Sequence, residues 1–446
     1  MSKVSVEASD EGRTNKGLIR GIRRWDLVAI AINAIIGAGI FGLPSKIFSL
    51  IGSYSLIAFA VCALVVALIV LCFAEVGSRF TETGGPYVYA REAFGAVVGF
   101  EVGWLLWLVR LTAFAANCNL LVGYLGFFWP TATTGFWRAV VITTVVVALT
   151  LVNILGVRQA AITTNIFTIG KLVPIILFIA AGMFFVRPGN YTFAAVPSYG
   201  AFSQSVLLLV YAFTGFEMAA IPAGEVRDPR KNLPFAILIA IAVVAVIYIL
   251  IQLVCIGTFP GLASSQKPLA DAASNFLGPV GGAIISAGAL ISIVGNLNVV
   301  LLSGSRVPFA MAVQKELPSF FASTHKRFHT PHVSILVSAV AVLILTISGT
   351  FIYALTISTI TRLTTYAVTC AALPVLRRRA QDHPAQFVAP AGVFVAVAAL
   401  LLALWLLSNS TLTEARDSCI AAVAGLFIYF IYRLFLQNLR TTRLEP

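Results

Sequence analysis

The sequence predicts an all-α polytopic membrane protein with twelve transmembrane helices, built as two inverted repeats of five with helices 1 and 6 broken. Three observations carry that expectation. Of 446 residues, 59% are hydrophobic and only 11% charged, whereas soluble domains carry roughly 25% charged residues. Apolar runs of the roughly 20 residues needed to cross a bilayer recur along the whole chain. Two of these runs, five apart, are interrupted by glycine, the pattern expected of repeats that meet at a site near the membrane midplane.

Residues 1–24 form a polar tail ending in Arg20, Arg23 and Arg24. Apolar runs follow at 27–51, 55–76, 94–128, 136–152, 161–186, 202–221, 234–256, 280–302, 333–347, 351–376, 387–407 and 419–435. The first repeat is placed at 25–186, the second at 201–376, an appended helix pair at 387–436 and a second tail at 437–446. Arg79, Arg91, Arg158, Arg227, Arg230, Lys231, Lys326, Arg327 and Arg377 to Arg379 all fall in loops on the side of the tails. The opposite loops hold only Arg138, Arg187, Lys267 and Arg416, with Lys46 near the outer end of the first run. That bias puts both termini in the cytoplasm. The net charge of +13 is therefore a topology signal and does not argue for nucleic acid. No cleavage site follows the first long run, so a signal peptide is not expected.

The first run carries Asn33-Ala34-Ile35-Ile36-Gly37-Ala38-Gly39-Ile40-Phe41. If the helix breaks there, the second half starts near Gly39 and points bare N–H groups and a positive dipole end into the protein, an anion cradle at membrane depth. Close helix packing on the two glycines is the competing explanation. The sixth run carries the second candidate break, Tyr211-Ala212-Phe213-Thr214-Gly215-Phe216-Glu217.

Ionisable side chains inside spans usually face a cavity or a partner. Lys171, about ten residues into the fifth run, is read as a proton-exchanging or fixed cation rather than a snorkelling one. Glu217 is either a proton acceptor or a hydrogen-bond partner for loosened backbone. Arg110 shares a helix face with Phe114 and Asn117. That face either lines the cavity, with Arg110 paired to Glu217 or Glu101 or meeting an acidic substrate, or carries a structural ion pair, which is the preferred reading. Arg362 is open between the same readings. Glu75 and Arg79 are read as a helix-end ion pair. The loop 225–234 is either an inner gate or a solvated turn, and 305–312 is expected as a short amphipathic helix on the membrane surface. Six cysteines in or beside apolar runs read as small buried hydrophobes, with no disulfide frame. His325, His329 and His332 stand among cations, so neither a metal site nor a cofactor is expected.

Five stretches together carry a family resemblance: Ile36 to Pro44, Thr83-Gly84-Gly85-Pro86-Tyr87, Phe213 to Glu217, Glu225 to Pro229, and Ser305 to Met311 with Leu317-Pro318. In order and spacing they resemble the amino acid–polyamine–organocation (APC) transporters across essentially the whole chain. The resemblance implies a 5+5 LeuT-like fold and alternating access. It implies that amides from Ile36 through Gly37, Ala38, Gly39 and Ile40 hold an amino acid carboxylate. Carbonyls of Ile35, Phe213, Thr214 and Phe216 would take the ammonium group, Tyr211 would gate, and Asn117 would meet the side chain. Ala38 stands where other members have serine. Lys171 resembles the lysine that, in several members, replaces a sodium ion, which leaves proton symport and exchange open.

The expectation is therefore a plasma-membrane amino acid transporter, a permease acting on a small molecule with protons as possible co-substrates and no obligatory protein partner. A polyamine permease would need acidic residues in its cavity, and Glu217 is almost the only candidate. A membrane-embedded enzyme would need a nucleophile–base constellation, and none stands out. A channel fits paired helix breaks poorly.

Overall fold

The computed structural model describes residues 17–441 except 38, 127, 194, 266, 349–350, 380–383 and 409–411. Ala38, a candidate site residue, most of the first tail and residues 442–446 of the second lie outside the described residues. Among those described there is no strand. One isolated parallel bridge pairs Ile22 with Val226.

The first apolar run is two helices. Helix α1 (Arg24–Ile35) opens with Asp26 accepting from the Arg23 N–H at 2.9 Å, and α2 spans Gly39–Ile51. With 12 and 13 residues, each is roughly 18–20 Å long at 1.5 Å per residue, about two thirds of a hydrocarbon core. Helix α3 (Ser55–Gly77) follows. A short helix α4 (Pro86–Phe94) precedes the third run, and after Gly95, where φ is 92°, that run forms the 30-residue α5 (Ala96–Leu125). Helices α6 (Gly135–Leu155) and α7 (Val157–Gly182) complete the first half.

The sixth run stops being α-helical at Phe213. Helix α8 (Tyr199–Phe213) starts on Ser198, whose hydroxyl accepts from Ala201. Past Thr214 and Gly215 the chain continues as 3₁₀ turns, Phe216–Ala219 and Ala223–Glu225, and becomes α-helical again at α9 (Pro229–Thr258). Helix α10 (Pro268–Val313) is bent at Gly278 and runs without interruption through 305–312. Residues 305–312 are buried to the last side chain, so the surface-helix expectation for them is corrected. Arg306 turns inward to a buried carboxylate. Helices α11 (His332–Ser348), α12 (Phe351–Arg378), α13 (Gly392–Ser408) and α14 (Leu412–Thr441) end the fold.

Among the described residues, eight helical segments are long and apolar enough to cross a membrane. Two further apolar helices, α11 and α13, have 17 residues each. Helix α9 packs on α1 and α3, and α10 packs on α5 and α7, so the two broken segments are held inside the bundle. The molecule is apolar outside as well as inside. Leu64, Ile166, Ile169, Phe394 and Phe427 are all more than 60% exposed, while Arg110, Lys171, Glu217, Glu225 and Arg306 are fully buried. Water would not tolerate that outer surface, and hydrocarbon does. Five cysteines are buried. Cys419 is exposed on α14, which corrects the expectation that all six are interior.

Candidate functional site

The site begins where α1 ends. The N–H groups of Ile36 and Gly37 turn back to Ile32 O and Ile35 O, both at 2.8 Å. Gly39 and Ile40 stand at the first positions of α2, where helical N–H groups have no partner within the helix. Of the expected anion cradle, two amides are thus committed to α1 in this conformation and two face forward.

The carbonyls loosened at the break are held by side chains from three other helices. Lys171 of α7 reaches into it, donating to Asn33 Oδ1 at 2.7 Å, Asn33 O at 3.2 Å and Ile36 O at 2.5 Å. Its ammonium, fully buried, is surrounded by oxygens in the manner of a bound cation. Ser292 of α10 adds a bond to Ile36 O at 3.3 Å, and Asn296 of α10 donates to Asn33 O and Ala34 O at 3.2 and 3.1 Å. Asn296 in turn accepts from Asn117 of α5 at 2.9 Å. Tyr248 of α9 approaches Ile35 O at 3.3 Å and Ala212 O at 3.2 Å, so one hydroxyl spans both breaks.

At the second break Gly215 adopts φ 118°. A Cβ there would overlap the carbonyl of Ala34, so glycine is what allows the two breaks to touch. The Gly215 N–H donates to Glu217 Oε2 at 2.9 Å. The same oxygen accepts from Tyr366 at 2.8 Å, and Glu217 Oε1 accepts from Arg110 at 2.5 Å. Glu217 therefore staples the second break to α5 and α12.

Between the breaks lies a small cavity of about 30 Å³, lined by Ile35, Gly37, Gly39, Asn117, Tyr211 and Thr214 together with Ala34, Ala113, Ala212, Met218, Asn296, Val300 and Arg362. It has room for roughly two or three waters. Of the sequence-selected residues, the first six line the cavity. Ile36, Ile40, Phe213, Phe216, Lys171 and Glu217 stand behind its wall. The Phe213 ring packs edge-on to Tyr248 and the Phe216 ring edge-on to Phe73. Sequence reasoning missed Asn296, Ser292, Tyr248 and Tyr366. Asn296 and Ser292 were visible as polar residues inside an apolar run. The two tyrosines carried no signal, since a tyrosine in a span is ordinary core.

The end of the bundle that carries the 221–227 segment is closed by a second layer. Arg306 forms two bonds with Glu225, at 2.8 and 3.0 Å, and both side chains are fully buried. Backbone bonds join Ile22 N to Glu225 O at 3.0 Å and Arg227 N to Ile22 O at 2.9 Å. The Gly84 N–H donates to Ile221 O at 2.8 Å, tying the 83–87 turn to the same segment. Glu75 pairs with Arg79 at 3.0 Å as expected and also with Arg377 at 2.6 Å. Among the described residues no group of His, Cys, Asp or Glu has the arrangement of a metal site.

An all-helical bundle clothed in apolar side chains, whose two interrupted helices meet at a small polar cavity, is the architecture of a membrane transport protein. Comparison with known proteins names the family. The amino acid permease family model matches residues 22–431, and the chain belongs to that family of the APC superfamily. It is 28% identical to the serine/threonine exchanger SteT of Bacillus subtilis (strain 168), covering 93% of this chain and 97% of SteT. The methylthioribose transporter of the same organism is 27% identical, covering 96% of this chain and 97% of the relative. The branched-chain amino acid permease BcaP, also from that organism, is 27% identical with 94% of each chain covered.

Proposed function

We propose that this permease is a secondary active amino acid transporter that works by alternating access, with twelve spans in two inverted repeats of five plus an appended pair. The observation that carries the reading is the meeting of the two breaks at one cavity, with the free N-terminal end of α2 facing it. The N–H groups of Gly39 and Ile40 receive the substrate carboxylate, joined by those of Ile36 and Gly37 when the break unwinds. Loosened carbonyls at Ile35, Phe213, Thr214 and Phe216 receive the ammonium group. Tyr211 closes over the side chain, and Asn117 contacts it. A cavity of about 30 Å³ is too small for an amino acid, so loading requires the α8 segment to move away from α1. Opening on the cytoplasmic side requires the Glu225–Arg306 layer to part. The protein is assigned to the plasma membrane with both termini cytoplasmic, as the basic-residue bias of its loops supports.

Lys171 occupies the oxygen set where a sodium ion would otherwise sit, which supports a sodium-independent cycle. Coupling is then proton symport or amino acid exchange. A polyamine substrate is disfavoured, because the cavity presents Arg362 and the nearest carboxylate, Glu217, is already paired.

The test is uptake of a labelled amino acid panel into proteoliposomes, with and without an inward proton gradient, for wild type and Lys171→Ala. Accumulation that follows the gradient and loses that dependence in the variant makes the protein a symporter with Lys171 in the coupling step. Flux that needs only substrate on the far side and ignores pH makes it an exchanger and Lys171 a structural cation. No movement of any amino acid in either format refutes the assignment.

A further inference from the structure

The charges around the cavity do not balance. Glu217 is the carboxylate within Coulombic reach of both Arg110 and Arg362, and it bonds only one of them, Arg110. Arg110 is 1% exposed and its Nε and Nη1 have no hydrogen-bond partner among the described residues. Arg362 is 6% exposed and lines the cavity, and its Nε is likewise without a partner. One carboxylate thus faces two guanidiniums, leaving an excess of one positive charge beside the transport site. Arginine does not relieve this by losing its proton. A buried, uncompensated charge is costly, and a ligand of opposite sign removes that cost.

Arg362 is also held in a receiving position. Its Nη1 donates to Thr214 Oγ1 at 2.5 Å, and its guanidinium lies 5.8 Å from the centre of the Tyr211 ring. Both partners belong to the sixth-segment break, and both line the cavity. The head group is therefore oriented by neutral groups, leaving its charge available. A planar guanidinium presented this way matches a carboxylate.

We propose that the transported amino acid carries a second carboxylate on its side chain, and that Arg362 is the specificity-determining residue that receives it. This rests on the amino acid reading above and narrows it to net-anionic, dicarboxylic amino acids. The α-carboxylate goes to the α2 end and the side-chain carboxylate to Arg362. A neutral amino acid leaves the extra charge unpaired, and a cationic one adds to it.

The test compares acids with their amides, which match in size and differ in charge. Uptake of labelled L-glutamate, L-glutamine, L-aspartate, L-asparagine, L-serine and L-lysine is measured at pH 7 in empty and amino acid-preloaded proteoliposomes. The expected result is that the wild type takes up at least one acid tenfold or more faster than its amide, and that Arg362→Gln narrows that ratio to under twofold. Wild-type uptake of the amides equal to or above that of the acids overturns the inference and leaves the amino acid reading standing. An unchanged ratio in Arg362→Gln also overturns it. No uptake of any of the six overturns both. If Arg362→Gln does not give a monodisperse protein, the wild-type acid-to-amide ratio decides alone.

Discussion

The Glu225–Arg306 pair allows a prediction whose size follows from burial. Both side chains are fully buried and joined by two bonds at 2.8 and 3.0 Å, and Arg306 Nη1 also reaches Ser305 Oγ at 3.1 Å. Replacing Arg306 by Met keeps much of the volume and removes the charge, leaving the Glu225 carboxylate buried without its partner. Breaking such a pair from one side costs about 3–5 kcal/mol, whereas replacing both members by apolar residues of similar volume is often close to neutral. Arg306→Met and Glu225→Leu should therefore each destabilise strongly, and the double variant should recover most of the loss. The coupling energy of the cycle should exceed ~2 kcal/mol. Reversible SDS-induced unfolding in mixed micelles, followed by tryptophan fluorescence, gives the four free energies. Single-variant losses under ~1 kcal/mol, or a double variant equal to the sum of the singles, would refute the view that this layer is a desolvated ion pair closing its end of the bundle.

Gly215→Ala must hold a side chain at φ 118° against the Ala34 carbonyl. Strain of this kind costs ~1–3 kcal/mol, so a lower melting temperature and weakened substrate binding are expected together. Tyr248→Phe removes the hydroxyl that spans Ile35 O and Ala212 O. A stability loss of ~1 kcal/mol with a larger fractional loss of uptake would mark the tyrosine as a strut between the breaks, and equal small losses would not. Glu316, in the loop after α10, bonds Tyr87 at 2.7 Å and Arg91 at 2.9 Å. Burial nevertheless holds its carboxyl above the ordinary carboxylate range, against the lowering effect of those two bonds. The folded protein then binds this proton more tightly than the unfolded chain does, so the contribution is fullest below the unfolded value. It falls as the pH rises through the folded one. Glu316→Gln should flatten that part of a melting-temperature profile against pH, and an unchanged slope would contradict the assignment.

Composition and periodicity determined that the protein is an all-helical membrane protein, because apolar runs of bilayer length admit few other outcomes. They also located both interruptions, since glycine in such a run weakens a helix wherever it sits. The motif order around Ile36 to Pro44 and Phe213 to Glu217 brought the family within reach. Lys171 stood out by its charge alone, and its burial among the oxygens of Asn33 and Ile36 is what a lysine deep in a span requires. The sequence left open which partner each charge takes. Arg110 could meet Glu101 or Glu217, and only packing between α5 and the sixth-segment break chose Glu217. Residues 305–312 read as a surface helix from the sequence, yet Glu225, some eighty positions earlier, draws Arg306 inward and makes them core. Arg362 looked like any intramembrane arginine until the fold set it beside Thr214 and Tyr211. Partner choice at such separations is a property of the assembled bundle, because the distances that decide it exist only after the helices pack.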